Sequence, residues 1–431
     1  MPGPTVIERV RQSLDLARGS QDTLNAFTQI DDEKALARAA EIEELSASGA
    51  SPGPLTGVPI GLKDLIDHSG RLTTCGSAFY RREATITAPV VERLEDAGAV
   101  IVGRTGLHEF AFGFSSENPH FGAVRNPWDP ATSPGGSSGG SAVAVAAGMT
   151  PVAIGTDTGG SVRVPAALCG CFGLKVTHGR IPLGGVFPLV PSIDTVGPMA
   201  DSIANLEIAY RVMSGDETPE PAPARLRIGI PQPWYDDAPM DQTVDAAFNL
   251  TREHLADLGH EVIPTQLPDV MPGREIILAI AEEVTEVHRE FRAQGLPYGD
   301  DVAARLQDCE RVTTEESVTG RVWQQMIRSR FADAFATVDL LLSPTVPVLR
   351  KVIGVDKIGD LHYRAVLSWF TALVNHTLHP ALALPLLGSE VPPASIQAIG
   401  ALGSEVKLIG FGRQLESAGV VGFRPAIAKP G

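Results

Sequence analysis

Apolar and polar residues alternate along this chain with two different periods, and these periods predict helices and strands in turn. Residues 5–48 carry apolar side chains at roughly helical spacing, among them Val6, Val10 and Leu14, which predicts two helices. Gly49 follows the second helix and ends it, because glycine readily leaves the helical conformation. The N-terminal part of the chain is therefore predicted to be helical.

Short apolar runs bounded by turn residues predict buried strands in the next part. The run VPIGL at 58–62 ends directly before Lys63, and residues 88–103 have the pattern of a helix, a turn and a strand. An Ala/Val-rich helix at 142–147 precedes a further apolar strand at 152–154. Strands that alternate with helices predict an α/β fold with a mixed central β-sheet flanked by helices.

Residues 1–431 are predicted to form one domain, within which composition distinguishes several segments. After the N-terminal helices, the catalytic core is predicted to consist of residues 55–212 and 336–425. The polar run SGDETPEPAPA at 214–224 is typical of a surface connector. Residues 215–335, which include this connector, are largely acidic and helical, and we interpret them as a variable, lid-like segment over the site.

The overall composition narrows the class of protein. Hydrophobic residues make up 43% and charged residues 20% of the chain, which is the balance of a globular protein rather than a disordered one. The formal net charge of −16 repels phosphate backbones and anionic lipids, so nucleic acid and membranes are not expected as direct partners. Four cysteines without zinc spacing predict no disulfide scaffold and a reduced, cytoplasmic setting. A homodimer is compatible with these features.

Two clusters of glycine and serine are the strongest chemical signals in the sequence. They are GGSSGGS at 135–141 and GTDTGGS at 155–161. Glycines allow a tight turn whose N–H groups converge on an anion, and a serine at the end of such a turn is both a nucleophile and close to an oxyanion hole. A flexible linker is the alternative interpretation, but both clusters are flanked by apolar elements instead of further linker residues.

Other serine, phosphate and metal motifs fit these clusters less well. The pattern G-x-S-x-G at Gly135–Gly139 resembles a nucleophile elbow, but the polar, proline-interrupted run before it is not a buried strand. No Lys-Ser/Thr pair follows the glycines as a phosphate loop requires, and His108-Glu109 lacks the second histidine of a zinc motif. The second cluster follows the apolar strand VAIG, which favours Ser161 as the nucleophile.

The combination of motifs resembles the amidase signature family. GVPIGLKDLID, GGSSGGS and GTDTGGSVRVPAALCGCFGLK occur in the order found in that family, and SIDTVGPMA, LLLSPTVP and HPALALP extend the resemblance over most of the chain. The sequence departs from the family pattern at Leu378, where a glycine is common. The resemblance fades between about 215 and 335.

The resemblance implies a role for each matching residue. Ser161 would be the acylated nucleophile, Ser137 a bridging serine held by a cis peptide bond, and Lys63 the base. A lysine acts as a base only when neutral, and burial favours the neutral form, so the apolar strand before Lys63 suits this role. The resemblance implies an oxyanion hole formed by the backbone N–H groups of Thr158, Gly159, Gly160 and Ser161. It also implies three side chains that support the catalytic loops, namely Ser138, Asp157 and Arg163.

The function implied is hydrolysis of a small or medium carboxylic amide to an acid and ammonia or an amine, through an acyl-enzyme at Ser161. No metal and no cofactor are expected, and the partner is a small-molecule amide. Two alternatives stay open. One is the glutamine-hydrolysing A subunit of an aminoacyl-tRNA amidotransferase, which requires a partner chain. The other is a non-catalytic ligand-binding protein, which has no evident use for Lys63, Ser137 and Ser161 together.

Overall fold

The helices and strands follow the predicted alternation along the chain. A computed structural model describes residues 3–218, 225–388 and 391–426. The α-helices are α1 (Val6–Gly19), α2 (Gln21–Leu24), α3 (Asp32–Ala47), α4 (Pro89–Asp96), α5 (Gly139–Ala146), α6 (Arg163–Cys169), α7 (Ile203–Ser214), α8 (Gln242–Asp257), α9 (Glu275–Leu278), α10 (Ala281–Ala293), α11 (Asp300–Glu310), α12 (Thr314–Phe335), α13 (Tyr363–Leu367), α14 (Ala372–His376) and α15 (Glu405–Ser417).

The strands form one large sheet and three small hairpins. They are β1 (Phe27–Ile30), β2 (Pro59–Lys63), β3 (Leu72–Thr73), β4 (Arg82–Glu83), β5 (Val100–Thr105), β6 (Glu117–Asn118), β7 (Gly122–Ala123), β8 (Val152–Asp157), β9 (Phe172–Lys175), β10 (Thr195–Ala200), β11 (Arg227–Gln232), β12 (Glu261–Gln266), β13 (Leu340–Pro344), β14 (Lys357–Ile358), β15 (Leu361–His362), β16 (Ala381–Pro385) and β17 (Ser395–Gly400).

The central sheet is mixed, as predicted. Its strand order is β1-β5-β2-β8-β10-β9-β16-β17-β13-β11-β12. Strand β2 is parallel to both β5 and β8, whereas β10 is antiparallel to β8. Successive side chains of β5 enter two different hydrophobic clusters, with Ile101 in one and Val100 and Val102 in the other, so both faces of the sheet are covered. The α/β fold class is therefore confirmed.

Local sequence signals explain where several of these elements begin. Thr5 and Glu8 form a capping box at the start of α1, in which each side chain binds the other residue's backbone N–H. The region 5–48 nevertheless contains a strand as well as helices, because β1 pairs with the edge of β5. The burial of Phe27 in that pairing stabilises a strand of four residues that has no strong pattern of its own.

The segment 215–335 contains strands as well as the helices that its composition suggested. Its strands β11 and β12 pair in parallel and extend the central sheet, and the chain then continues through α9 to α12. The predicted connector at 214–224 lies partly outside the described residues, since 219–224 are not among them. Leu378 has a φ of 67°, a left-handed conformation that favours glycine and fits the departure noted in the sequence. No helix in the described part of the chain is long and apolar enough to cross a membrane.

Candidate active site

The parallel pairing of β2 and β8 places two of the predicted catalytic segments together at the carboxyl ends of these strands. Leu62 lies opposite Ile154, so the strands end side by side, with Lys63 closing β2 and Asp157 closing β8. The carboxyl ends of neighbouring parallel strands are a common place for a binding site. The Lys63 ammonium reaches across and donates to the Thr156 hydroxyl at 2.8 Å.

Lys63 is fully buried and also binds Ser137. Its Nζ donates to Ser137 Oγ at 2.7 Å. Burial lowers the pKa of Lys63 to about 7, although the negative charges of Asp157 and Asp194 oppose the fall. An ordinary lysine has a pKa near 10.4, so burial brings a neutral amine within reach at physiological pH. The site therefore contains a lysine that can accept a proton from a serine hydroxyl.

The first Gly/Ser cluster holds Ser137 and Ser138 on opposite sides of one turn. The Gly136–Ser137 peptide bond is cis. Ser138 precedes α5, donates to the carbonyl of Thr156 and accepts from the N–H of the same residue, each at 3.2 Å. These two bonds attach the cluster to β8. The structure thus places both predicted serines beside β2 and β8.

Ser161 ends the turn that follows β8 and lies at the wall of a cavity. Its carbonyl accepts from the N–H of Ser138 at 3.2 Å, so the two Gly/Ser clusters are in direct contact. Gly160 has a φ of 127°, and a Cβ there would lie 2.3 Å from the Thr371 hydroxyl, so glycine is required for both reasons. No hydrogen bond joins the Ser137 and Ser161 hydroxyls within the described residues, and catalytic hydrogen bonds often tighten only in the substrate complex.

One N–H group of the predicted oxyanion hole already has a partner. The Gly160 N–H donates to Asp157 Oδ1 at 2.8 Å, so it stabilises the turn. The N–H groups of Thr158, Gly159 and Ser161 have no hydrogen-bond partner among the described residues. The sequence alone could not separate these four groups because the distinction depends on which way the Asp157 side chain points.

Asp157 and Arg163 form a buried ion pair that stabilises residues 158–161, the turn that ends at the predicted nucleophile and is named the nucleophile turn after it. Arg163 Nη2 and Nε donate to the two carboxylate oxygens at 2.9 and 3.0 Å, and both side chains are completely buried. The carboxylate also accepts from the N–H groups of Gly160 and Val162 and from the amide of Asn375. Burial alone would raise the pKa of Asp157, but the Arg163 guanidinium holds it well below its usual range. The carboxylate is therefore ionised throughout the working pH range.

Removing this carboxylate is expected to destabilise the protein strongly. Asp157→Asn would leave the buried Arg163 guanidinium without a counter-charge, which costs about 3–5 kcal/mol in comparable cases. The measurement is urea unfolding followed by circular dichroism. The matched control is Asp15→Asn, because Asp15 pairs with Arg18 at the exposed surface at 3.8 Å and such pairs contribute about 0–1 kcal/mol. Equal losses in the two variants would contradict the buried-pair argument.

A cavity of about 630 Å³ opens in front of Ser161. Most of its wall is apolar, and part of it comes from α9 and α11 in the segment 215–335; lining side chains include Phe112, Phe114, Leu189, Ile276, Ile277, Ile280, Trp369 and His376. Trp369 and His376 therefore line the cavity, whereas Phe370 is buried in the core and His379 packs against Phe331 and Phe335. The volume suits a small or medium substrate.

Arg305 on α11 is a cavity residue that the sequence gave no reason to single out. Three other arginines of the cavity wall are paired with carboxylates, namely Arg274 with Glu316, Arg311 with Asp308 and Arg364 with Asp301. Arg305 makes no hydrogen bond and no ion pair with any described residue, and its Nη1 is buried. Its guanidinium lies over the Phe112 ring, 3.9 Å from the centroid. Burial lowers its pKa to about 10, so it is still cationic at neutral pH.

The histidines occupy supporting positions. His108 contacts Asp301 and His120 contacts Glu109, both at 3.1 Å. Among the residues that the structure describes, no group of three or more His, Cys, Asp or Glu side chains could hold a metal ion.

This chain is similar in sequence to known proteins over nearly its whole length. The model of the Amidase family matches residues 8–409. The A subunit of a glutamyl-tRNA(Gln) amidotransferase from Chloroflexus aurantiacus is 35% identical over 452 residues, which cover 95% of this chain and 92% of that protein. The corresponding A subunit from Thiobacillus denitrificans is 33% identical over 455 residues, covering 95% of this chain and 93% of the relative.

Solved structures are similar over nearly the whole chain. A crystal structure of an amidase superposes with a TM-score of 0.90 at 31% identity and covers 96% of each chain. A vestigial protein complex, described as revealing the evolutionary origins of an s-triazine catabolic enzyme, gives 0.91 at 30% identity, with 98% of this chain and 97% of that one covered. The names of the sequence relatives agree better with the predicted glutamine-hydrolysing subunit than with a stand-alone amidase.

Proposed function

Because this chain belongs to the Amidase family and is a hydrolase of amide C–N bonds, we propose that its substrates are small amides that carry a carboxylate, glutamine among them. The observation that carries the catalytic part is the Lys63–Ser137 hydrogen bond of 2.7 Å beside the Ser161 turn. Membership in an enzyme family also sets aside the non-catalytic ligand-binding alternative.

In the proposed mechanism, neutral Lys63 accepts a proton from Ser137 while Ser137 takes the proton of Ser161. The Ser161 oxygen then attacks the amide carbonyl, and backbone N–H groups of Thr158, Gly159 and Ser161 bind the oxyanion that forms. The proton returns through Ser137 to the nitrogen as the C–N bond breaks, which releases ammonia or an amine. Water then attacks the acyl-enzyme and gives its proton to Ser137. The bond to Ser161 breaks as Ser161 regains a proton from Ser137, and the acid leaves.

The carboxylate requirement is based on Arg305. Arg305 is half-buried and is influenced by the charge of Asp301, but it forms no ion pair with a described residue. A guanidinium at a cavity wall can bind a substrate carboxylate with two parallel hydrogen bonds. The cavity offers one acidic lining residue in the described part of the chain, Asp308, and this side chain is exposed and paired with Arg311. The electrostatics of the cavity therefore favour a substrate with a negative group.

The first test is ammonia release from a panel of matched amides by the purified wild-type protein. Glutamine, the half-amide of succinic acid and the uncharged amide of butyric acid have similar lengths but different charges. Turnover of the two carboxylate-bearing amides, with little from butyramide, supports the proposal. Preferential turnover of butyramide contradicts the carboxylate part, and Ser161→Ala provides the blank for all three.

Replacement of Arg305 is expected to raise KM selectively. Arg305→Met keeps an unbranched, apolar side chain of similar reach but removes the cation, and a hydrogen bond to a charged group contributes about 1.5–3 kcal/mol. KM for the carboxylate-bearing amides should therefore rise by about 10- to 100-fold, with kcat changed much less. Arg311→Met is the matched control, because Arg311 also lines the cavity but has a carboxylate partner. An equal rise for butyramide would assign Arg305 a packing role only.

A second candidate is the amidotransferase subunit, and the names of the relatives favour it. In that case glutamine hydrolysis supplies ammonia to a partner chain. The test is to purify the tagged chain from its native cells and to measure its mass by gel filtration with light scattering. A stoichiometric second chain whose removal lowers glutaminase activity supports the amidotransferase role. A homodimer or monomer with full activity on the panel supports the stand-alone amidase.

We also propose that helices α9 and α11 cover the site as part of a single domain. They supply Ile276, Ile277 and Arg305 to the wall of the cavity that Ser161 also lines. This arrangement supports a cover that shapes the substrate cavity, while β11 and β12 attach the same segment to the sheet.

A further inference from the structure

Asp194 is a buried carboxylate that the proposed chemistry does not yet use. It belongs to the SIDTVGPMA motif, immediately before β10, and is only 6% exposed. Its Oδ1 accepts from the Thr158 hydroxyl at 2.6 Å. Its Oδ2 accepts from the N–H groups of Leu189 and Val190 at 2.8 and 3.0 Å. One side chain therefore joins the start of the nucleophile turn to the loop at 189–190.

Both ends of this connection belong to the reaction site. Thr158 and Leu189 line the cavity in front of Ser161, and both also line a second cavity of about 270 Å³ together with Thr156 and Asp194. Thr156 is the residue whose hydroxyl accepts from Lys63. The Asp194 carboxylate thus faces the space behind the nucleophile turn, close to the base and to the first oxyanion-hole candidate.

The charged surroundings of Asp194 are defined by four elements. Lys63 at the end of β2 and Asp157 at the end of β8 face the same region, Glu283 approaches from α10, and the His178 ring contacts the main-chain oxygen of Asp194. Burial raises the pKa of the Asp194 carboxyl, whereas the three hydrogen bonds oppose this rise. The negative charge of Asp194 in turn increases the proton affinity of Lys63.

We propose that Asp194 is a positioning residue that holds Thr158 and the 189–190 loop in the geometry required for the oxyanion, and that its negative charge acts on the neighbouring Lys63 side chain. This inference rests on the proposed acyl-enzyme mechanism. An oxyanion donor must lie within hydrogen-bond distance of the developing charge, and a displacement of about 1 Å is enough to lower a rate by about 100-fold. The Thr158 hydroxyl is the connection through which Asp194 acts on the turn.

Variants of Thr158 test the hydrogen bond between Thr158 and Asp194 separately from the charge of Asp194. Thr158→Val removes the hydroxyl and keeps the side-chain shape, and kcat should fall by about 10-fold or more with KM changed little. Thr158→Ser restores the hydroxyl, and kcat should return to within about threefold of the wild type. The control is Ser192→Ala, because Ser192 lies in the same loop but binds Glu283 instead of the turn, and its kcat should match the wild type.

Asp194→Asn tests the electrostatic part through the pH profile of kcat. The carboxylate favours protonated Lys63, so its removal should lower the pKa of Lys63 and shift the acid limb of the profile to lower pH. A merely structural role would lower activity without this shift. Equal kcat values for Thr158→Val and Thr158→Ser, or an unshifted acid limb in Asp194→Asn, would overturn the inference. If Asp194→Asn does not fold, the Thr158 pair still decides it.

A wrong assignment of Asp194 can be distinguished from a wrong acyl-enzyme mechanism. Activity that survives in Ser161→Ala would contradict the acyl-enzyme itself. Activity that requires Ser161 but is the same in both Thr158 variants would contradict only the role of Asp194.

Discussion

Ser161→Ala is expected to lower kcat by about 10⁴-fold or more on any amide that the wild type hydrolyses. The substitution removes the oxygen that forms the acyl-enzyme. It changes little else, because the Ser161 hydroxyl makes no hydrogen bond with a described residue and its main-chain contact with Ser138 is kept. The melting temperature should therefore stay close to that of the wild type. Steady-state ammonia release and differential scanning calorimetry provide the two measurements.

Two controls make this result specific to Ser161. Ser141→Ala removes another serine of the Gly/Ser clusters, a fully buried one that donates to the Ile154 carbonyl and contacts Thr105. Its loss should affect stability more than kcat. A serine-directed fluorophosphonate should label Ser161 in the wild type, as read by peptide mass spectrometry. Labelling of Ser137 instead, or substantial turnover by Ser161→Ala, would place the nucleophile elsewhere.

The candidate site at the carboxyl ends of β2 and β8 could be predicted because its sequence signals are local. The runs before Lys63 and Thr156 are continuously apolar, as a strand buried on both faces requires, and glycines mark the turn that follows β8. Adjacent parallel strands then bring Lys63 and Thr156 together. The hydrogen bonds between Ser138 and Thr156 attach the first Gly/Ser cluster at the same place, so Lys63 and Ser137 meet although 74 residues separate them. Strand pattern, turn chemistry and sheet topology therefore agree at this site.

Features that depend on distant partners could not be predicted in the same way. Strand β1 is stabilised by pairing with β5, and β12 lies in a segment whose acidic composition suggested helices. Arg305 gave no signal, because an arginine on a charged helix is most often solvated, and only the fold shows that its Nη1 is buried at the cavity. Contacts between remote parts of the chain decide all of these features.

Lys63→Met is the second change with a large expected effect. A proton acceptor typically contributes about 10²- to 10⁴-fold to a rate, and kcat should fall within this range. Methionine has a similar length and no charge, so the variant also removes a buried group whose charged form is disfavoured by burial. The Ser137 and Thr156 hydroxyls lose their donor, but both can reorient. Loss of activity should therefore occur without a comparable loss of stability.

The pH profile and a matched lysine decide whether Lys63 acts as the base. Because its pKa is lowered to about 7, the neutral amine predominates above that pH, and kcat should rise through about pH 7 and then level off. Lys175→Met is the control: burial also lowers the pKa of Lys175 to about 7, but its Nζ donates to the carbonyls of Val176 and His379 and not to a serine. This variant should keep the wild-type profile, even if it is less stable. An acid limb that disappears in Lys175→Met and persists in Lys63→Met would show that Lys175, and not Lys63, is the base.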